Sequence, residues 1–366
     1  MKIFSYLKKL KWSLIIPAFF LTTLGLLSIY SSSLSSDFLI FKKQIIFFAI
    51  SITLLIFLSF FDFRFLKTNS YLVLSLYFLS LLSLLGLLFF GKEIRGVKGW
   101  YKIGNLSFDP LPFGVIILII VLSKYFSSRH IELTRFTPIL FSGIYAFFPT
   151  LLALFQPDLG SSIILISVWL GIVIFSGIKI RHLLILILIF LITFGFSWKF
   201  WLRDYQKQRI LSFLNPQIGK TGISWSVSQS KIAIGSGGLL GKGIGKGSQT
   251  QYGFLPETKT DFIFSAIAEE MGFFGAFLLI SALLFLFWQI VKISFLAQDN
   301  FTRLFACGFS FLILSQSFIN IGMCLGLVPV IGIPLPFVSY GGSQLLAFYS
   351  GLGILLGLTK SSIRIK

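Results

Sequence analysis

The chain is 366 residues long, 56% hydrophobic and only 12% charged, with a mean hydropathy of +0.93. A water-soluble domain carries roughly 25% charged residues, so the composition excludes a soluble globular fold and predicts an all-α polytopic membrane protein. The net charge of +19 is spread over the segments between apolar runs, which favours anionic headgroups and phosphates as partners over nucleic acid.

A bilayer core takes about 20 apolar residues per helix. Runs of that kind fall at 12–31, 44–61, 71–90, 112–127, 137–155, 161–177, 182–201, 263–291, 302–325 and 338–358. They predict ten spans in a single membrane domain over 1–366. The first run has no small-residue cleavage site after it and is expected to stay as a helix. With the N-terminus inside, sixteen of the 31 Lys and Arg residues fall on inner segments and six on short outer loops. The excess of basic residues inside predicts that both termini are cytoplasmic. The long polar stretch between the seventh and eighth spans, about 202–262, is then extracytoplasmic. The segments 91–110, 156–162 and 328–344 fall on the same side.

Cys307 and Cys324 lie in one apolar run, and on a helix they are about 25 Å apart, so they do not pair with each other. No zinc or haem spacing is present. His130 and His182 fall on the inner side, away from the polar outer segments, which removes a Ser-His-Asp set.

The acids carry more information. The chain has only 12 Asp and Glu, and Glu257, Asp261, Glu269 and Glu270 fall within fourteen residues of one another. Asp261 opens the eighth span. It reads either as a helix N-cap or as a carboxylate at the membrane surface that takes a proton from a hydroxyl or holds a divalent metal. Glu257, four residues earlier, reads as a loop acid or as a neighbour of Asp261. Glu269 and Glu270 lie two turns into the span, where acids are costly and face a polar cavity or a cation. Asp158 in QPDLG reads as a turn cap or as a group that orients a polar partner. The glycine run GSGGLLGKGIGKG, with Lys231, Lys242 and Lys246, could wrap a phosphate with backbone N–H groups and ammonium ions. It is not a Walker A loop, since none of its lysines is followed by Ser or Thr at the required spacing.

At these residues the chain resembles the SEDS family of membrane-embedded peptidoglycan glycosyltransferases. QSKIAIGSGGLLGKGIGKGSQTQ and FLPETKTDFIFSAIAEEMGFFGA (229–276) are similar to the family's central signature, and QPDLGSS (156–162), RILSFLNP (209–216) and GLVPVIGIPLPFVSYGGS (326–343) match its other blocks in order. The resemblance implies ten spans and an enzyme that polymerises lipid II with inversion and release of undecaprenyl diphosphate. It implies that Asp261 is the family's essential catalytic aspartate, as base or as metal ligand. Trp100, Asp158, Arg203, Arg209, Lys231, Lys242, Lys246, Glu257 and Glu269 are candidates for substrate binding, the basic ones at the diphosphate. A divalent cation, Mg or Mn, held at Asp261 is a candidate cofactor, with no organic cofactor. The expected setting is the bacterial inner membrane, with a class B penicillin-binding transpeptidase and MreC-type elongation proteins as partners. The motifs lean to the RodA branch, which serves elongation and rod shape, with the FtsW division branch and a lipid II flippase as alternatives. One block departs from the pattern. Where the family has a Gln-Pro-Ser-Glu motif, this chain reads FDPLPFGV, so either Asp109 takes over the missing Glu or this branch manages without it.

Overall fold

The computed structural model describes residues 11–34, 38–94, 96–104, 106–128, 136–200, 204–214 and 222–362. Among them are the helices α1 (Trp12–Leu34), α2 (Leu39–Phe60), α3 (Arg64–Thr68) and α4 (Ser70–Phe90), followed by the strands β1 (Lys92–Ile94), β2 (Val97–Ile103) and β3 (Leu106–Phe108). Next come α5 (Leu111–Ser127), α6 (Thr137–Phe155), α7 (Leu159–Phe175), α8 (Ile180–Phe200), α9 (Asp204–Leu214) and α10 (Ile223–Ser236). The chain ends with α11 (Ser248–Gln251), α12 (Ile263–Leu296), α13 (Asn300–Leu325) and α14 (Gly342–Ser362).

Eight of these helices are long and apolar enough to cross a membrane, and the apolar α5 and α7 have 17 residues each. They correspond one for one to the ten apolar runs of the sequence. A helix satisfies its backbone polar groups within itself, which is why apolar runs of this length fold this way where water is absent. The hydroxyls inside them follow the same rule: Ser32 and Ser33 donate back to the carbonyls of Ser28 and Ile29 at 3.0 and 2.7 Å. Helix starts are capped where the sequence supplies a short polar acceptor. Asn69 accepts from the Leu72 N–H, Asp158 from Ser161, and Asp299 from Thr302. Asp299 also takes the Lys67 ammonium at 2.8 Å, which fastens α3 to the start of α13.

In the bundle, α14 packs along α2, α12 lies between α13 and α1, and α13 also packs on α7 and α5. The buried core runs through these contacts, with Phe305, Phe309, Phe337 and Tyr349 among its largest enclosed side chains. Helix α8 is different, because none of its most apolar stretch is buried.

Three features depart from the sequence reading. The segment read as an outer loop at 91–110 contains a three-stranded antiparallel meander in the order β1-β2-β3. The long 202–262 stretch contains the helices α9, α10 and α11. The last span starts at Gly342 rather than 338, because 331–341 is non-helical chain whose backbone is bonded to other segments.

The longest helix is interrupted. A straight 34-residue α12 would span about 50 Å, and Gly272 breaks it with φ 66° and ψ −162°. The glycine loop is spliced into that break. The Lys242 and Gly243 N–H groups each donate at 3.0 Å to the carbonyls of Glu269 and Glu270, and Phe273 N–H donates to Gly238 O at 2.8 Å. A Cβ on Gly272 would lie 2.3 Å from Gly241 N, and one on Gly241 would lie 2.2 Å from Glu270 O. Only glycine permits that approach, so here the glycines serve backbone-to-backbone packing.

Candidate active site

One cavity of about 660 Å³ gathers the polar segments. Its wall takes Trp100 from β2, Asp109 ahead of α5, Asp158 ahead of α7, Arg209 from α9, the run Glu257–Asp261, Ile331, Gly332 and Pro334, and the run Tyr340–Gln344. Its deeper wall is apolar, with Ile116, Ile164, Leu312 and Phe348. A site of this size and build suits an amphipathic ligand.

The turn before α12 presents the acids. Glu257 adopts φ 52°, unusual for a side-chain-bearing residue. Its carbonyl thereby accepts from both Thr260 N and Phe262 N, at 3.1 and 3.2 Å, and its carboxylate accepts from the Thr260 hydroxyl at 3.1 Å. Such a conformation costs about 1–3 kcal/mol and persists only where surrounding structure enforces it. Phe262, without a side-chain cap, occupies the N-cap of α12, so the carboxylate of Asp261 is not that cap. The position of a Cβ on Gly332 would be 3.6 Å from Asp261 Oδ2, which places the carboxylate against the Ile331–Gly332 wall.

Asp158 does two things at once. It caps α7, accepting from Ser161 N at 3.0 Å and from Ser161 Oγ at 2.6 Å, and it lines the cavity. Burial raises its pKa, against the lowering effects of the Ser161 hydrogen bonds and the Arg209 charge. Arg209 itself donates from Nη1 to Ile331 O at 3.2 Å.

Asp109, at the altered block, reaches the same wall. Its N–H donates to Ser343 Oγ and its carboxylate accepts from Leu111 N, both at 2.9 Å. Burial pushes its pKa up to about 7, opposed by the Leu111 hydrogen bond and assisted by the Asp158 charge. A carboxyl whose folded pKa exceeds its unfolded value resists ionisation in the folded state. Its contribution to stability is therefore lost as pH rises from about 4 to about 7. Replacing Asp109 with asparagine should remove this loss, so the melting temperature of the wild type relative to Asp109→Asn should drop between about pH 5 and about pH 8. An equal difference at both pH values would show that Asp109 is not held in its neutral form.

The sequence candidates divide into two groups. Trp100, Asp158, Arg209, Glu257 and Asp261 share the cavity. Lys231, Lys242, Lys246 and Glu269 do not line it. Glu269 is fully buried and binds the Lys242 ammonium at 2.8 Å, the Gln249 and Thr250 N–H groups at 2.9 and 3.0 Å, and the Thr250 hydroxyl at 2.8 Å. Glu270 accepts from Ser31 Oγ at 2.5 Å and Gln251 Nε2 at 3.2 Å. Both acids anchor the glycine loop to α12 and α1, and the Lys242 charge and the Lys242 and Gly243 N–H groups are taken up by that anchoring rather than by a phosphate. Lys231 lies beside Gly326, and Lys246 beside Gly243. Arg203 lies outside the described residues.

Lys259, Gln316 and Gln344 line the cavity without having been singled out in the sequence. Gln344 Nε2 donates to Gln316 Oε1 at 3.1 Å. The signal of Gln316 and Gln344 was present in the sequence as polar residues set into apolar runs, which are costly in a membrane unless they face a cavity. Among the described residues, no three Asp, Glu, His or Cys side chains come together as metal ligands. A magnesium ion at Asp261 would draw on one or two carboxylates and on the phosphate oxygens of the substrate.

Comparison with known proteins gives consistent matches. The family model described as a cell cycle protein, FtsW/RodA/SpoVE, matches residues 11–363. The peptidoglycan glycosyltransferase MrdB of Escherichia coli is 36% identical over 283 residues, covering 77% of this chain and 76% of MrdB. A probable peptidoglycan glycosyltransferase FtsW of Haemophilus influenzae is 35% identical over 285 residues, covering 77% of this chain and 72% of that protein. A chain from the solved structure of a peptidoglycan synthase complex, a study of how polymerization and crosslinking are coordinated, superposes with a TM-score of 0.83 at 29% identity. The match covers 96% of this chain and 98% of that one.

Proposed function

The chain belongs to the FtsW/RodA/SpoVE (SEDS) family of peptidoglycan glycosyltransferases, and from that premise we propose that it polymerises lipid II into glycan strands at the Asp261 cavity. The observation that carries this reading is the cavity itself, in which Asp261 shares a wall with the cations Arg209 and Lys259 above an apolar floor. The acceptor's 4-hydroxyl attacks the anomeric carbon of the donor. The new C–O bond forms as the bond to the diphosphate breaks, with inversion at that carbon. Asp261 takes the hydroxyl proton. Arg209 and Lys259 neutralise the charge that develops on the departing undecaprenyl diphosphate, and Trp100 offers an aromatic face to a sugar.

The setting is a bacterial inner membrane, with both termini cytoplasmic and the cavity on the outer side, as the charge distribution supports. A class B penicillin-binding transpeptidase is the partner, a reading supported by the relative that occurs in a peptidoglycan synthase complex. Identities of 36% to MrdB and 35% to an FtsW are too close to separate elongation from division. The IAIGSGGLLGKG and GIPLPFVSYGG blocks favour elongation, with MreC-type proteins nearby. A fluorescent fusion along the side wall supports that role, and one confined to midcell opposes it.

The enzymatic test uses the purified full-length chain with its transpeptidase and labelled lipid II. Glycan strands should appear and should persist in penicillin and moenomycin. Absence of strands from an active partner complex, with lipid II crossing vesicle membranes instead, would replace the polymerase by a flippase.

A further inference from the structure

Asn320 is fully buried near the C-terminal end of α13. Its Nδ2 donates to two carbonyls from different parts of the chain, Asp261 O at 3.0 Å and Ile333 O at 2.8 Å. Its Oδ1 has no hydrogen-bond partner among the described residues. A buried amide with one end unsatisfied costs free energy that a leucine would not. What the amide supplies in return is a bond to each of two backbone segments.

One of those segments carries the acid of the proposed reaction, and the other is bonded to its cation. Ile333 ends the three-residue segment Ile331–Ile333, whose first two residues form a wall of the cavity. Arg209 Nη1 is bonded to its first carbonyl at 3.2 Å. Gly332, in the middle, faces the Asp261 carboxylate, its Cβ position 3.6 Å from Oδ2. Asn320 holds the third carbonyl and the main chain of Asp261 together. The neighbouring turn is held in the same manner: the Ser339 hydroxyl donates to Thr260 O at 2.7 Å, and Tyr340 N–H donates to Lys259 O at 2.8 Å. Of these attachments, only the Asn320 amide spans both the Asp261 turn and the Arg209 wall.

We infer that Asn320 is a positioning residue for glycosyl transfer, one that sets the spacing between the Asp261 carboxylate and Arg209 by bonding the backbone of both their supports. This rests on the reading of Asp261 as the group that takes the hydroxyl proton. Asn320 touches no reacting atom. Its loss should therefore change turnover and leave substrate capture alone, because substrate affinity is spread over the rest of the cavity. A displacement of about 1 Å at a reacting group can cost on the order of 100-fold in rate.

The test compares Asn320→Leu, Asn320→Asp and Asp261→Asn in the full-length chain with its transpeptidase, using labelled lipid II. Asn320→Leu should lower kcat by on the order of 100-fold and leave the KM for lipid II within about twofold. Asn320→Asp adds a pH signature. Protonated, its carboxyl can donate to one of the two carbonyls, and ionised it repels both. Its kcat per folded molecule should therefore fall with rising pH over a range in which the wild type is flat. If Asn320→Leu does not fold, the pH profile of Asn320→Asp decides alone. Wild-type kcat in the Asn320 variants, or a loss confined to KM, beside an inactive Asp261→Asn, overturns the positioning role and leaves the function standing. Polymerisation that survives Asp261→Asn overturns the reading of Asp261, and the positioning role with it.

Discussion

Asp261→Asn should abolish strand synthesis and leave the protein folded. The reason lies in how the turn is held. The bonds from Asn320 Nδ2 and Cys324 Sγ end on the main-chain carbonyl of Asp261, which asparagine retains. The N-cap of α12 is Phe262, so the helix start does not depend on the Asp261 carboxylate. What asparagine lacks is the ability to take a proton, and general-base catalysis is worth roughly 10²–10⁴-fold in rate. The check is gel analysis of glycan strands from labelled lipid II, with the melting temperature of the variant measured beside the wild type. A variant that keeps its melting temperature and still makes strands at the wild-type rate would remove Asp261 from the chemistry.

Glu269→Ala should act in the opposite way, through stability. Glu269 is 0% exposed and its partner Lys242 is 28% exposed. Truncating the acid strands a cation together with the N–H groups of Gln249 and Thr250 and the Thr250 hydroxyl. Breaking a buried pair from one side typically costs about 3–5 kcal/mol, and the part-exposed lysine puts this case near the lower end, about 3 kcal/mol. The loss should be read as a lower melting temperature in detergent, while the folded fraction keeps its KM for lipid II. Unchanged melting with a raised KM would return Glu269 to the substrate site. Because Glu269 and Asp261 stand only eight residues apart, the two variants separate neighbours in sequence that the fold has given different tasks.

Much of the protein is legible in its residues. Ten apolar runs become ten apolar helices because a bilayer core admits few other backbone arrangements, and periodicity is not needed to see them. Asp261, Glu257 and Asp158 could be singled out because polar groups beside apolar spans are expensive and few, so each invites a reason, whereas Trp100 was marked by the family resemblance alone. Asp109 shows the same logic at a departure from the family block, since its carboxyl still arrives at the cavity wall.

The glycine loop was not legible in this way. A run of glycines with lysines reads equally as a phosphate cradle or as close backbone packing, and both demand the missing Cβ. Only the fold shows that Gly241 and Gly272 meet backbone to backbone where α12 breaks, with Glu269 taking the Lys242 charge. Asn320 was hidden for a related reason. Its partners, Asp261 and Ile333, lie 59 residues before it and 13 after it in the chain, and no local pattern encodes such a meeting. The sequence by itself determined the membrane class, the number of spans and the acid at the end of the long stretch, because those follow from transfer free energies of individual segments. The tertiary structure alone decided which charges meet, because pairing depends on distances between segments remote in sequence.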